Sequence, residues 1–146
     1  YTIASAINRN YVLDIYGGYA ANSTNVQIYH SNNSKAQKFF FQKVSSASSK
    51  QPIPNGTYVI ETGVASNRAL DVYDGSTRNG ANIQIYNKNG TAAQKFRLVY
   101  DAGSGTYTIT NAYSGKTLDV YDGRAANGTN VWQYNSNRRA ALVYNG

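Results

Sequence analysis

Leu13-Asp14-Ile15-Tyr16 returns as Leu70-Asp71-Val72-Tyr73 and again as Leu118-Asp119-Val120-Tyr121. A tyrosine follows each aspartate at one constant spacing: Tyr29 after Asp14, Tyr86 after Asp71 and Tyr134 after Asp119. A second aromatic follows each of those tyrosines, again at one spacing: Phe39, Phe96 and Tyr144. The aspartates step from 14 to 71 to 119, so the first interval is the longer. Self-similarity at a period of about fifty residues means that one supersecondary unit has been copied, and this constrains the architecture before any local propensity does.

The copies match along their length. Each opens on a tyrosine and a β-branched run: Tyr1-Thr2-Ile3, Tyr58-Val59-Ile60 and Tyr107-Thr108-Ile109. After the Leu-Asp run comes turn chemistry, Gly17-Gly18, Asp74-Gly75 and Asp122-Gly123. Then follow Asn25-Val26-Gln27-Ile28-Tyr29, Asn82-Ile83-Gln84-Ile85-Tyr86 and Asn130-Val131-Trp132-Gln133-Tyr134. The units close on Ala36-Gln37-Lys38-Phe39, Ala93-Gln94-Lys95-Phe96 and Ala141-Leu142-Val143-Tyr144. They delimit repeats of approximately 1–48, 56–100 and 105–146 within one domain, 1–146. The unequal spacing falls on residues 45–55, rich in serine with Pro52 and Pro54, which reads as a longer connecting loop.

Short runs of alternating apolar residues bounded by Asn, Gly and Ser are strand signals, and no window sustains a helical stripe. About four strands per unit, about twelve in all, are predicted. No unit can bury its apolar face alone, so three equal units suit a closed three-fold barrel, which also removes exposed strand edges.

At 146 residues, one domain is the length prior. The chain has no Cys and no Met, and 14 Tyr stand against 4 Phe and 1 Trp. Without cysteine there is neither a disulfide framework nor a thiolate site. Tyrosine buries a ring and keeps a hydroxyl for a partner. Most of the tyrosines are expected to be packing residues, with a functional role kept for Tyr29, Tyr86 and Tyr134, whose spacing from the aspartates is constant. There is no apolar run of membrane length and no secretory leader in the sequence. The expectation is a domain appended to a larger secreted or cell-surface protein.

The net charge of +7 raises nucleic acid and anionic polymers as partners, but the 14 Lys and Arg are scattered and only Arg138-Arg139 are adjacent. The charge arises from a shortage of acids. Of seven, five sit in register: Asp14, Asp71, Asp119, Asp74 and Asp122. Carboxylates copied around a barrel do not form the paired acids of glycoside hydrolysis, and the lone Glu61 and His30 do not recur, so no enzyme is expected. Asp71-x-x-Asp74-Gly75 lacks the further acids of a calcium loop, and no metal or cofactor is expected. Sugar binding uses what each repeat carries. An ionised aspartate accepts from neighbouring hydroxyls, a tyrosine ring covers the C–H face of a pyranose, and Asn and Gln serve the remaining hydroxyls.

The stretch Leu70-Asp71-Val72-Tyr73-Asp74-Gly75, continuing through Asn79-Gly80 to Ile83-Gln84-Ile85-Tyr86, resembles the ricin B-chain type of β-trefoil lectin. So does Gln94-Lys95-Phe96, a Gln-x-aromatic motif with Phe for the usual Trp. The resemblance spans all three copies. It implies an all-β β-trefoil with pseudo-three-fold symmetry and three shallow pockets for galactose, lactose or xylan-type sugars. It assigns Asp14, Asp71 and Asp119 to sugar hydroxyls, Tyr29, Tyr86 and Tyr134 to stacking, and Gln37 and Gln94 to support of the pocket. The family's asparagine before that glutamine is replaced by Ala36, Ala93 and Ala141, so Asn87, Asn135 and His30 are the candidate substitutes. Asp74 and Asp122 are further candidates, and Trp132 is a candidate platform extension in the third copy, which also carries Leu142 for the glutamine. The second pocket is the most complete, then the first, then the third. The expected partners are oligosaccharides, polysaccharides or glycoprotein glycans, without nucleic acid or membrane insertion. The alternatives are a protein-interaction scaffold and a binder of anionic polysaccharide.

Overall fold

The computed structural model describes residues 1–46, 53–135 and 142–145. Much of the connecting loop expected at 45–55, together with Arg138, Arg139 and Ala141, lies outside the described residues. Twelve strands appear: β1 Thr2–Ser5, β2 Tyr11–Ile15, β3 Val26–His30, β4 Phe39–Ser46, β5 Gly56–Thr62, β6 Arg68–Val72, β7 Ile83–Asn87, β8 Phe96–Asp101, β9 Thr106–Asn111, β10 Thr117–Val120, β11 Thr129–Tyr134 and β12 Leu142–Asn145. Five single 3-10 turns punctuate them, and the described residues contain no α-helix.

The strands make a barrel and a cap. β1, β12, β9, β8, β5 and β4 pair antiparallel in that order. The Phe39 amide donates to the Tyr1 carbonyl at 2.8 Å and closes the ring. The hairpins β2–β3, β6–β7 and β10–β11, one per repeat, cover one end. This is a β-trefoil.

The hairpins meet on the pseudo-three-fold axis. Asn25, Asn82 and Asn130, one from each repeat, form a closed ring of amide hydrogen bonds. Asn25 donates to Asn130 at 2.8 Å, Asn130 to Asn82 at 2.9 Å and Asn82 to Asn25 at 2.7 Å. A second ring of contacts encircles the first. Asn22, Asn79 and Asn127 accept from the backbone amides of Asn87, Asn135 and His30 respectively, so each repeat fastens its neighbour.

The core repeats with the sequence. Leu13, Leu70 and Leu118 are buried together with Ile15, Val72 and Val120, and with Val26, Ile83 and Val131. Phe39 and Phe96 are fully buried. At the opposite end of the barrel, the buried rings of Tyr58 and Tyr107 hold residues 53–54. The Tyr107 hydroxyl accepts from Ile53 N and donates to Ile53 O, both at 2.9 Å, and the Tyr58 hydroxyl donates to Pro54 O at 2.7 Å.

The tyrosines correct the sequence expectation. Only Tyr58 and Tyr107 are buried among those described, whereas eight are exposed. The apolar volume is filled mainly by Leu, Ile, Val and Phe, with Tyr58 and Tyr107 among them, and most of the described tyrosines are left for the surface.

Candidate functional site

Each aspartate is directly opposed, across its hairpin, by a residue of the next strand: Asp14 by Gln27, Asp71 by Gln84 and Asp119 by Trp132. Cross-strand partners share a face and come within bonding reach. Gln27 donates to Asp14 at 3.1 Å and Gln84 to Asp71 at 3.1 Å.

The closing motif then folds over this face. It forms a 3-10 turn, Lys35–Gln37 in the first repeat and Ala92–Gln94 in the second. The glutamine of each turn is buried behind the carboxylate and spends its amide entirely on the protein. Gln37 donates to Asp14 at 2.9 Å and to His30 O at 2.8 Å, and accepts from Asn32 N at 2.8 Å. Gln94 repeats this with Asp71 at 2.9 Å, Asn87 O at 2.8 Å and Asn89 N at 3.0 Å. Two accepted bonds leave an ionised carboxylate with about two lone-pair sites unused.

Those sites face open clefts. The cleft of the second repeat, about 650 Å³, is lined by Asp71, Gln84, Tyr73, Tyr86, Asn89 and Tyr113 among others. That of the first repeat, about 700 Å³, is lined by Asp14, Gln27, Tyr16, Tyr19, Tyr29 and Asn32 among others. Both fall within the size range of small-ligand clefts, roughly 300–1,000 Å³. Tyr29 and Tyr86 are 38% and 37% exposed, so each ring is only partly open to its cleft. Burial pushes the Asp71 carboxyl above the ordinary aspartate value, and the amides of Gln94 and Gln84 oppose that only in part.

The third repeat differs. The Trp132 indole donates to Asp119 at 2.7 Å, taking the bond that Gln27 and Gln84 make elsewhere. It stacks on Tyr134, with centroids 5.5 Å apart, and meets Tyr121 edge-on at 4.9 Å. The carboxylate and the two tyrosines that surround a cleft in the other repeats are here packed against an indole.

His30 and Asn87 do not line the clefts. Each follows its tyrosine in the strand and therefore faces the other way. His30 packs its ring on Tyr11, and Asn87 accepts from Arg68, their cross-strand partners. Asn135, equivalent to these two, is exposed. Asp74 lines the second cleft, while Asp122 is exposed on its turn. Both occupy a left-handed backbone position, φ 56° and 54°, where the first repeat has Gly17. Aspartate tolerates that conformation better than most residues, which is a turn requirement independent of any ligand.

Sequence reasoning passed over Asn32 and Asn89, Tyr16 and Tyr73, and Tyr19 and Tyr113. The signal for the first two pairs was present. Asn32, Asn89 and Asn137 keep one spacing from Asp14, Asp71 and Asp119, and the tyrosine of the Leu-Asp-x-Tyr run recurs as strictly as the platform tyrosine. Asn89 accepts from the Thr91 amide at 3.0 Å and the Thr91 hydroxyl at 2.7 Å, which fixes its side chain at the cleft mouth. Tyr19 and Tyr113 have no counterpart tyrosines in the other repeats, so no periodicity could reveal them.

The family model for ricin-type β-trefoil lectin domain-like sequences matches residues 47–134. The chain belongs to that family. Its fold is that of a designed three-fold symmetric protein, ThreeFoil, at 27% identity and a TM-score of 0.86, covering 98% of this chain and 95% of the other. An exo-β-1,3-galactanase from Clostridium thermocellum matches at 25% identity and a TM-score of 0.85, covering 98% of this chain but 29% of the galactanase. The Rhizoctonia solani agglutinin shares the fold at 21% identity and a TM-score of 0.79, covering 98% of this chain and 91% of the agglutinin. No curated protein sequence matches the chain.

Proposed function

We propose that this lectin-like domain is a non-catalytic carbohydrate-binding module with two working pockets, on Asp14 and Asp71, that tethers a secreted protein to glycans. The observation that carries the reading is the pair of matched clefts. In each, a carboxylate fixed by two glutamine amides lies beside an exposed tyrosine ring and an asparagine. The carboxylate accepts from adjacent sugar hydroxyls, the ring covers the C–H face, and Asn32 or Asn89 completes the hydroxyl contacts. Galactose-type sugars are the preferred class over xylan. The similarity to a galactanase supports that choice, because this chain spans only the lesser part of that enzyme, as an appended module would. Single open pockets bind weakly, and two on one rigid body gain avidity on a polymer.

Asp71 is a poor probe, because its removal strands the buried amides of Gln84 and Gln94. Tyr86 is a better one. Calorimetric titration with galactose, lactose, N-acetylgalactosamine and xylobiose should give two sites per chain for the galactose-type sugars. Tyr86→Ala should weaken one of them by about tenfold or more, equivalent to roughly 1.4 kcal/mol, with the melting temperature almost unchanged. Affinity should be insensitive to salt, whereas an anionic polymer held by the +7 charge would be released steeply by it. No heat with any sugar would overturn the reading and favour a protein-interaction scaffold.

A further inference from the structure

The two pockets are not equal. Beside the second-repeat cleft lies another, of about 660 Å³, lined by the segment 73–81 and by Tyr113. Tyr73, Asp74, Gly75 and Tyr113 line both, so the two clefts adjoin. Tyr73 and Tyr113 are 59% and 63% exposed and stand at the junction.

The walls of this adjoining cleft are held by side chains of the third repeat that have no equivalents at the other pockets. Tyr113 lies in the β9–β10 connection, contributed by the third repeat. The buried side chain of Asn111 accepts from the amides of Tyr113 and Ser114, at 3.1 and 3.0 Å. Its own amide donates to the carbonyls of Ala92 and Ala93 at 3.2 Å, in the turn lining the Asp71 cleft. The opposite wall is tied to the same loop by Gln133. Its amide donates to Ser76 O and Arg78 O, both at 2.9 Å, while its oxygen accepts from the Ser114 hydroxyl at 2.8 Å. Gln133 is fully buried. The equivalent positions in the other repeats are Ile28 and Ile85, which pack in the apolar core. The position of Tyr113 is taken by Val64 at the first-repeat pocket, and that of Ser114 by Ala65. A glutamine in a core site costs desolvation unless fully bonded. Here its bonds go to the two walls of one cleft.

We infer that this adjoining cleft is a subsite for a second sugar residue, so that the second-repeat pocket reads an oligosaccharide where the first reads a single sugar. The proposal rests on the carbohydrate reading of the Asp71 pocket. Tyr113 and Tyr73 bracket the glycosidic junction, and Asp74 and Arg78 offer an acceptor and donors to hydroxyls of the second sugar. Gln133 and Asn111 hold both walls in place before the ligand arrives, which lowers the ordering cost of binding.

The test uses the whole chain carrying Tyr29→Ala, which weakens the first pocket so that the second dominates, titrated with galactose and with β-1,3-galactotriose. The trisaccharide should bind about fivefold tighter or better. Gln133→Ile, which restores the residue of the other repeats, should leave galactose affinity within about twofold and bring the ratio of the two affinities near one. Tyr113→Val should also collapse the ratio, and it decides the matter should Gln133→Ile fail to fold. Equal affinities for the two sugars, or a ratio that survives both substitutions, would overturn the subsite and leave the pocket intact. Absence of galactose binding in the otherwise unaltered chain would remove the carbohydrate reading and the subsite with it.

Discussion

Asp71 joins two demands in one side chain. In the proposed pocket its ionised form is the stronger acceptor for sugar hydroxyls, yet it is 6% exposed, and burial raises its pKa above the ordinary 3.8. Because the folded pKa exceeds the unfolded one, burying the ionised form costs stability at neutral pH. That cost fades as pH falls through the raised pKa and is gone below the unfolded value. Proposed ligand binding runs the other way, because protonation removes the charge and turns one acceptor oxygen into a donor. Galactose affinity at the second pocket should therefore decline on acidification at a pH above 3.8, while the contribution of Asp71 to stability improves. Calorimetry and thermal melts of the Tyr29→Ala protein from neutral pH down towards that value would check both directions. A flat binding profile would mean that the carboxylate does not touch the ligand.

At the scale of elements, the barrel and the cap solve different problems. The hairpins carry the sites and are fastened by side-chain amides. The far end of the barrel is closed by tyrosine hydroxyls on the 53–54 backbone. Tyr107→Phe keeps the ring but strands the amide and carbonyl of the buried Ile53, and should cost about 1–3 kcal/mol. Denaturant unfolding would measure it, and sugar affinity, read at the other end of the molecule, should not change. The sequence marks these tyrosines only as repeat openers. Tyr58 and Tyr107 are buried while the equivalent Tyr1 is exposed, and the buried pair is the one whose hydroxyls bond the end of the long loop between the first two repeats.

In the whole molecule, the three repeats are coupled at the axis by the Asn25–Asn82–Asn130 ring. Each member donates once and accepts once, so removing one disturbs two contacts. Asn82→Ala leaves the Asn130 amide and the Asn25 oxygen without these partners and should cost about 1–3 kcal/mol, read as a lower denaturation midpoint with an unchanged slope. A cost near zero would mean that water replaces the ring without loss.

The strands, their number, their three-fold arrangement and the registered aspartates were legible because they rest on short-range rules. Alternation of apolar residues sets the strand face, and Asp14 opposite Gln27 or Asp71 opposite Gln84 follows once the hairpin register is set. Copying supplied the rest, since a residue kept at one spacing in every repeat sits in one environment. What escaped was whatever breaks the copying or crosses between repeats. The Trp132 and Leu142 departures were legible in the third copy, but not that the indole would bond Asp119 in place of a glutamine and stack on Tyr134. Tyr113 enters the cleft of Asp71 from the following repeat, far along the chain. The faces of Asn87 and His30 were a local misreading, since strand alternation turns each away from its tyrosine and onto its cross-strand partner, Arg68 or Tyr11. The sequence by itself determined the repeating backbone and the carboxylates placed on it, because both depend on local pattern. The tertiary structure decided what surrounds each carboxylate, two glutamine amides at Asp14 and Asp71 and an indole at Asp119, because that depends on the volume and direction of side chains brought together only when the three repeats close around their axis.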